Sequence, residues 1–78
     1  MLKITQVVYM NNYTVKIKFN NGEYRIFDFG PVISKYPVFR SLSDLNLFRD
    51  YTLTDTLEWN NSEIDIAPEY LYEHGVVA

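Results

Sequence analysis

The sequence predicts an α+β fold in which short helices cover an antiparallel β-sheet. Three observations support this fold class. Residues 13–19 alternate apolar and polar side chains and lead into an Asn-Gly pair, a second alternating run covers residues 51–59, and proline or serine marks the start of three short helical stretches. Alternation places successive side chains on opposite faces of a strand, so each strand has one apolar face that helices can cover.

The strongest local signal is a β-hairpin over Tyr13–Phe29. Asn21-Gly22 suits a two-residue turn, because both turn positions need a positive φ. The two-residue turn predicts which residues face one another across the hairpin: Phe19 and Tyr24, Ile17 and Ile26, Val15 and Asp28. In that register Phe27 and Phe29 fall on the polar face.

A first strand is predicted over Leu2–Met10, with a turn at Asn11-Asn12. Pairing across this turn puts Ile4, Val8 and Met10 on the apolar face of the sheet, with Gln6 near an edge. The three strands then form an antiparallel meander.

Two short helices follow the meander. Pro31 suits the first position of a helix over Pro31–Lys35, which Tyr36-Pro37 ends because a residue before proline disfavours helix. Phe39 and Leu42 are expected to anchor the connection to the core. Ser43 is the expected cap of a helix over Asp44–Arg49.

The last third contains two strands and a helix. Tyr51–Trp59 alternates as a fourth strand with Asp55 at an edge or bulge, and Glu63–Ile66 forms a fifth. Pro68 opens a final helix that runs to about Glu73, with Gly75 as its C′ residue. The expected order is β-β-β-α-α-β-β-α in one domain over residues 1–78.

Composition excludes several classes of protein. The 78 residues include no cysteine, so disulfides and thiolate metal sites are excluded. The net charge is −3 with scattered Lys and Arg, which argues against nucleic-acid binding by this chain alone. The sequence shows neither a signal peptide nor an apolar run long enough to span a membrane. We therefore expect a cytoplasmic protein.

The C-terminal third carries a recognisable pattern, LEWNNSEIDIAPEYLYE. It resembles the signature of a family of small bacterial domains, domain of unknown function 2442, in which a Trp, a turn, an Asp-apolar-small-Pro segment and a Leu-Tyr helix follow one another. The matching positions are Trp59, Asp65, Ile66, Pro68, Leu71 and Tyr72. The hairpin and the LSDLNLFRDY segment fit as well, so the resemblance covers nearly the whole chain. Ser62 and Ala67 depart from the glycine and the Ser or Thr cap that are common in the family.

The resemblance implies a fold rather than an activity. Members look like stand-alone domains or are fused to a helix-turn-helix, and some are encoded beside another small protein in what looks like a toxin–antitoxin module. This chain shows no helix-turn-helix. The role that the resemblance implies is the neutralising, antitoxin-like partner, acting through protein contact.

The sequence predicts no catalytic, cofactor-binding or metal-binding residue. His74 is the only histidine, and it falls in the last turn of the final helix, where a cation suits the helix dipole. The acidic residues lack calcium-loop spacing and are interpreted as a solvated face: Asp55, Glu58, Glu63, Asp65 and Glu69. A hydrolase using carboxylates would need a base–nucleophile arrangement, which the sequence does not provide. We expect that the protein is not an enzyme.

A contact patch is the one predicted site: Trp59, Asp65, Tyr70 and Tyr72. Aromatic residues are enriched at interface hot spots. For two of these residues we favour a structural role: Trp59 lies in the core, and the carboxylate of Asp65 accepts backbone N–H bonds at a turn or at the start of the final helix, as expected also for Asp28.

Two functions from different classes follow. The first is a protein-interaction module, with a small partner protein encoded nearby. The alternative is a small-molecule-binding domain with a pocket between sheet and helices. The sequence also leaves open the formation of homo-oligomers through an edge strand.

Overall fold

The chain folds into seven strands, three α-helices and one 3-10 helix, which a computed structural model describes over residues Met1–Ala78. The strands are β1 Ile4–Asn11, β2 Thr14–Phe19, β3 Tyr24–Asp28, β4 Thr52–Leu53, β5 Leu57–Trp59, β6 Ile64–Ile66 and β7 Val76–Val77. The helices are α1 Gly30–Lys35, the 3-10 helix Pro37–Ser43, α2 Leu45–Arg49 and α3 Pro68–His74.

The strands form two antiparallel sheets. The larger sheet has the order β1-β2-β3-β7, and the smaller one has the order β4-β5-β6. Apolar residues of both sheets and all the helices meet in a single core, in which Ile17, Phe29 and Phe48 are fully buried. The α+β class, the meander and the short covering helices are confirmed.

The register predicted for the β2–β3 hairpin is wrong by one residue. Phe19 donates to the Glu23 carbonyl at 2.9 Å and accepts from the N–H of Gly22 at 2.9 Å, so the loop has three residues. Gly22 has a φ of 86°, whereas Asn21 has no positive φ and accepts the Glu23 N–H with its side chain at 3.0 Å. This is the turn-plus-bulge loop, which needs only one residue of positive φ.

The extra loop residue reverses the faces of β3. Val15 pairs with Phe27 and Ile17 pairs with Arg25, so Phe27 and the buried Arg25 lie on the inner face. Tyr24 and Ile26, which were predicted to be inside, lie on the outer face. A slip of one residue has this effect because side chains alternate with a period of two.

The predicted faces of β1 are also wrong beyond its first residue. Ile4 does pair with Phe19, but a bulge between Ile4 and Gln6 shifts the rest of the strand. Val7 and Tyr9 therefore pack on the core, whereas Val8 and Met10 are 50% and 46% exposed. A bulge adds one residue to one strand only, and alternation alone does not reveal it.

The three α-helices occur where they were expected, with one change of cap, whereas the 3-10 helix Pro37–Ser43 occupies a stretch that was predicted to be an irregular connection. Asp44, not Ser43, caps α2: its carboxylate accepts the N–H of Asn46 at 2.9 Å. Phe39 and Leu42 contact the core as predicted.

The predicted strand over residues 51–59 is in fact a small hairpin. Leu53 pairs with Leu57, and Thr54 donates its N–H to the carbonyl of Thr56 at 2.9 Å. Asp55 therefore lies in a turn, where an acidic side chain stays in water, and not within a strand.

Strand β7 was not predicted. Val76 and Val77 pair with Ile26 and Arg25 at the edge of the larger sheet. Gly75 links α3 to this strand with a φ of −75°, so it is not the left-handed C′ residue that was expected. A Cβ at Gly75 would lie 2.6 Å from the Leu71 carbonyl oxygen, so close approach explains this glycine.

Candidate functional site

Trp59, the first residue of the predicted contact patch, lies in the core. Its side chain is 1% exposed, and its indole N–H donates to the Phe48 carbonyl at 2.8 Å. The ring stacks on Phe48 at 5.9 Å and meets the edge of Phe29 at 5.5 Å. The core interpretation of Trp59 is correct, and its inclusion in a surface patch is wrong.

The most apolar open feature of the surface is a groove of about 290 Å³. It lies between the end of α1, the 3-10 helix and the junction of β6 with α3. Eight residues line it: Val32, Tyr36, Val38, Phe39, Asp65, Ile66, Ala67 and Tyr70. The groove therefore combines two residues of the predicted patch, Asp65 and Tyr70, with a segment that the sequence did not single out.

Local chain geometry explains why this groove stays open. Tyr36 leaves α1 in an extended conformation, and Pro37 starts the 3-10 helix. The turn directs Val38 outward, so that it is 58% exposed, while Phe39 points back to the core and meets Tyr36 edge-on at 6.5 Å. An exposed valine beside an aromatic pair thus forms one wall of the groove.

Asp65 forms the polar part of the opposite wall. On β6 it stands between the buried Ile64 and Ile66, and its own side chain is exposed. The carboxylate of Asp65 takes part in none of the hydrogen bonds or ion pairs of the chain, so the predicted turn-capping role is wrong. Helix α3 begins at the extended Ala67 without any side-chain cap. The matching prediction for Asp28 is confirmed, because its carboxylate accepts the N–H of Gly30 at 2.8 Å.

Charge is divided unevenly along the chain. All seven Lys and Arg residues come before residue 50. Seven of the ten acidic residues lie from residue 50 onward: Asp50, Asp55, Glu58, Glu63, Asp65, Glu69 and Glu73. The Asp65 side of the groove therefore belongs to a purely acidic part of the chain. On the other side, the ammonium group of Lys35 lies 5.4 Å from the centre of the Tyr36 ring.

Tyr70 lines the groove at its α3 end. Its ring lies 6.0 Å from that of Phe27 and 4.3 Å from that of His74, one helical turn further on. His74 is in the last turn of α3, as predicted. Tyr70 is half-buried, so one part of its ring supports the core and the other remains open to the groove.

Tyr72 belongs to a separate polar cluster. Its hydroxyl donates to the Glu23 carboxylate at 2.7 Å and accepts from the Asn21 amide at 3.3 Å. The Arg25 guanidinium lies 4.0 Å from the centre of the Tyr72 ring and donates to the Tyr72 carbonyl at 3.0 Å. This cluster ties α3 to the β2–β3 loop, and it does not touch the groove.

The same cluster changes the acidity of Glu23. The hydrogen bond from Tyr72, and after it the hydrogen bond from Arg25, stabilise the charged form and lower the pKa of Glu23 below its usual 4.5. Arg25 is buried, and its contacts with Glu23, Tyr24 and Tyr72 satisfy it. The cluster is therefore explained by a structural role, which is to hold α3 against the β2–β3 hairpin.

The structure brings no group of three or more His, Asp or Glu side chains together in a way that could hold a metal ion. No helix has the length and apolar character needed to cross a membrane.

Sequence reasoning missed Tyr36 and Val38. The available signal was the apolar run Tyr36–Phe39, which is interrupted by a proline that ends one helix and starts another. In this chain the proline turn places Val38 on the surface and Phe39 against the core.

The fold and the groove define a small α+β domain with an open apolar surface site. The chain belongs to the family described as Protein of unknown function (DUF2442), whose model matches residues 4–76. No curated protein and no solved structure matches the chain.

Proposed function

We propose that the protein is a non-enzymatic interaction module that binds a partner protein through the groove. The partner inserts an apolar side chain between Val38 and Tyr70, and a Lys or Arg beside that anchor pairs with Asp65. The partner is a small basic protein, because the Asp65 side of the groove lies in the acidic part of the chain.

The observation that carries this proposal is an apolar surface that the chain itself leaves uncovered beside an unpaired carboxylate. Val38 is the most exposed large apolar residue of the groove, and Tyr36 next to it is also exposed. Contiguous apolar surface rimmed by polar groups is typical of protein interaction sites, and anchors of this kind provide most of the binding energy.

The family resemblance supports a narrower form of the proposal. In that form the partner is the toxic member of a bacterial two-protein module, and this chain neutralises it in the cytoplasm. Expression of the partner alone should arrest growth, and co-expression with this chain should relieve the arrest. Fractionation of the host's cells tests the proposed cytoplasmic location of the protein independently of the growth assay.

The main experiment compares variants in affinity capture from the host's lysate. Val38→Asp and Asp65→Lys place an unsuitable charge in the groove, whereas Val76→Asp changes a similarly exposed valine (68%, against 58% for Val38) on β7. We expect one stoichiometric basic partner with the unchanged chain and with Val76→Asp. Its recovery should fall at least tenfold with the two groove variants, because an uncompensated or repulsive charge at an interface costs several kcal/mol.

Equal recovery by all four chains would show that the groove is not the binding site. Melting curves of the variants provide the control, because every substituted side chain is exposed and each variant should remain folded.

The second candidate is a small-molecule site in the same groove. Its volume of about 290 Å³ and its apolar lining favour a ligand of few atoms with a single cationic group. A metabolite that raises the melting temperature of the unchanged chain but not of Val38→Asp would favour this candidate, because a ligand of the folded state stabilises it.

A further inference from the structure

Strand β1 presents an unpaired backbone edge, and the hydrogen bonds of the sheet show which of its residues form that edge. Phe19 donates to Glu23, and Tyr13 accepts from Phe29, so the odd-numbered residues of β2 bond to β3. In an antiparallel ladder the even-numbered residues must then bond to β1. Asn20, which donates to the Lys3 carbonyl at 2.9 Å, follows this rule.

The partners of Lys16 and Lys18 on β1 are Val8 and Gln6. The backbone groups of Val8 and Gln6 are therefore used within the sheet, and those of Val7 and Tyr9 point away from it. At the Ile4 end the edge is closed, because the Ile4 N–H donates to the Asp55 carbonyl at 2.9 Å. The open edge thus lies around Val8.

This edge has little protection of its own. The eight residues of β1 are ITQVVYMN, without a charge or a proline, although natural edge strands are commonly protected by such residues. The outward side chains Val8 and Met10 are half exposed. The bulges that accompany β1 lie at its two ends and leave Gln6–Tyr9 regular.

We propose that β1 pairs with β1 of a second copy of this chain, antiparallel and centred on Val8. In this register Val7 of each copy faces Tyr9 of the other, and the free N–H and C=O groups of both residues form four backbone hydrogen bonds. On the outer face Val8 meets Val8, and Met10 meets Gln6. The two larger sheets become one continuous sheet of eight strands.

Three features indicate a second copy as the occupant. The residues with free backbone groups, Val7 and Tyr9, lie symmetrically about Val8, as a two-fold axis requires. In the same register, Val8 and Met10 are covered by Val8 and Gln6 of the other copy. Because β1 has no charged side chain, the two paired strands do not repel each other. The nearest lysines, Lys16 and Lys18 on β2, are separated from those of the other copy by three strand spacings, about 14 Å, and salt screens their repulsion over that distance.

Sedimentation equilibrium of the whole chain tests the proposal. We expect the weight-average mass to rise from 9.2 kDa toward twice that value with concentration. A single strand pair buries little surface, so the dissociation constant should fall between micromolar and millimolar. A mass that stays at 9.2 kDa up to about 1 mM would contradict the proposal.

The substitution Val8→Lys places two ammonium groups opposite one another at the centre and should weaken self-association at least about tenfold. Val76→Lys changes an equally apolar exposed valine on the far edge of the sheet and should have no effect on it. An equimolar mixture of Val8→Lys and Val8→Glu should recover the dimer, because opposite charges then meet at the centre.

Two results would contradict this register: self-association that Val8→Lys leaves unchanged, or a mixture that dimerises no better than its components. The proposal is independent of the groove, because Val38→Asp should leave the dimer intact.

Discussion

Trp59 and Tyr70 are consecutive aromatic residues in the same C-terminal sequence pattern, yet their environments differ. Trp59 has aromatic rings on two sides and a buried hydrogen bond to Phe48. Tyr70 also has two rings beside it, those of Phe27 and His74, but it lines an open groove. The elements that cover them explain the difference. Helix α2 places Phe48 over Trp59, whereas the proline turn at residue 37 leaves Val38 exposed in the groove that Tyr70 also lines. An aromatic pattern therefore predicts burial or contact only when the covering element is known.

The largest expected effect is that of Trp59→Ala. Truncation of a buried aromatic side chain costs about 3–5 kcal/mol, which is a large part of the stability of a domain of this size. We expect the variant to be largely unfolded in chemical denaturation.

Tyr70→Ala tests the other side of this comparison. Because its side chain is only half-buried, the loss of stability should be clearly smaller, about 1–2 kcal/mol, while capture of the partner should be lost. Equal destabilisation by the two variants would mean that Tyr70 is also a core residue.

A smaller effect distinguishes two aspartates. Asp28→Ala removes the acceptor of the Gly30 N–H at the start of α1 and should cost about 0.5–1.5 kcal/mol. Asp65→Ala removes a carboxylate without an internal partner, so the free energy of unfolding should change by less than about 0.5 kcal/mol while partner binding weakens. Denaturation midpoints of both variants provide the measurement, and a loss of stability with Asp65→Ala would contradict a binding role.

The smallest effect concerns the Tyr72 cluster, which contrasts with the groove because its polar groups are paired. The pKa of Glu23 is lowered in the folded state, so near pH 4.5 the unfolded chain binds more protons at this group. Its contribution to stability is therefore present above the ordinary pKa and is lost as the pH falls through the lower folded pKa.

Tyr72→Phe should raise the pKa of Glu23 toward 4.5 and reduce this pH dependence. An NMR titration of the Glu23 carboxyl carbon, together with unfolding measured from pH 7 down to about pH 3, would check both effects. An unchanged pKa in the variant would show that the Tyr72 hydroxyl is not responsible.

The fold class was predictable because alternation and proline positions are local signals. The registers of β1 and β3 could not be predicted, because each is shifted by a single extra residue: one in the bulge after Ile4 and one in the β2–β3 loop. At Asn21-Gly22 the sequence fits a turn with two positive φ angles as well as a bulge with one, and the core decides between them by burying Phe27 instead of Ile26. The bulge after Ile4 has no local signal of its own.

The candidate site was predictable only in part. Asp65 and Tyr70 do meet in space, but their neighbours Tyr36 and Val38 come from a segment 27 or more residues earlier. Trp59 and Tyr72 carry the same residue chemistry as Tyr70 and are held by other elements. A sequence pattern cannot show which of these aromatic residues a distant helix will cover.

The most direct test of the interaction site is NMR of the ¹⁵N-labelled chain titrated with the captured partner. We predict that the backbone signals of Val38, Phe39 and Tyr70 change, while the indole N–H of Trp59, bonded to Phe48, does not. Changes confined to the outer face of the larger sheet, at Val8 and Lys16, would contradict the assignment of partner binding to the groove.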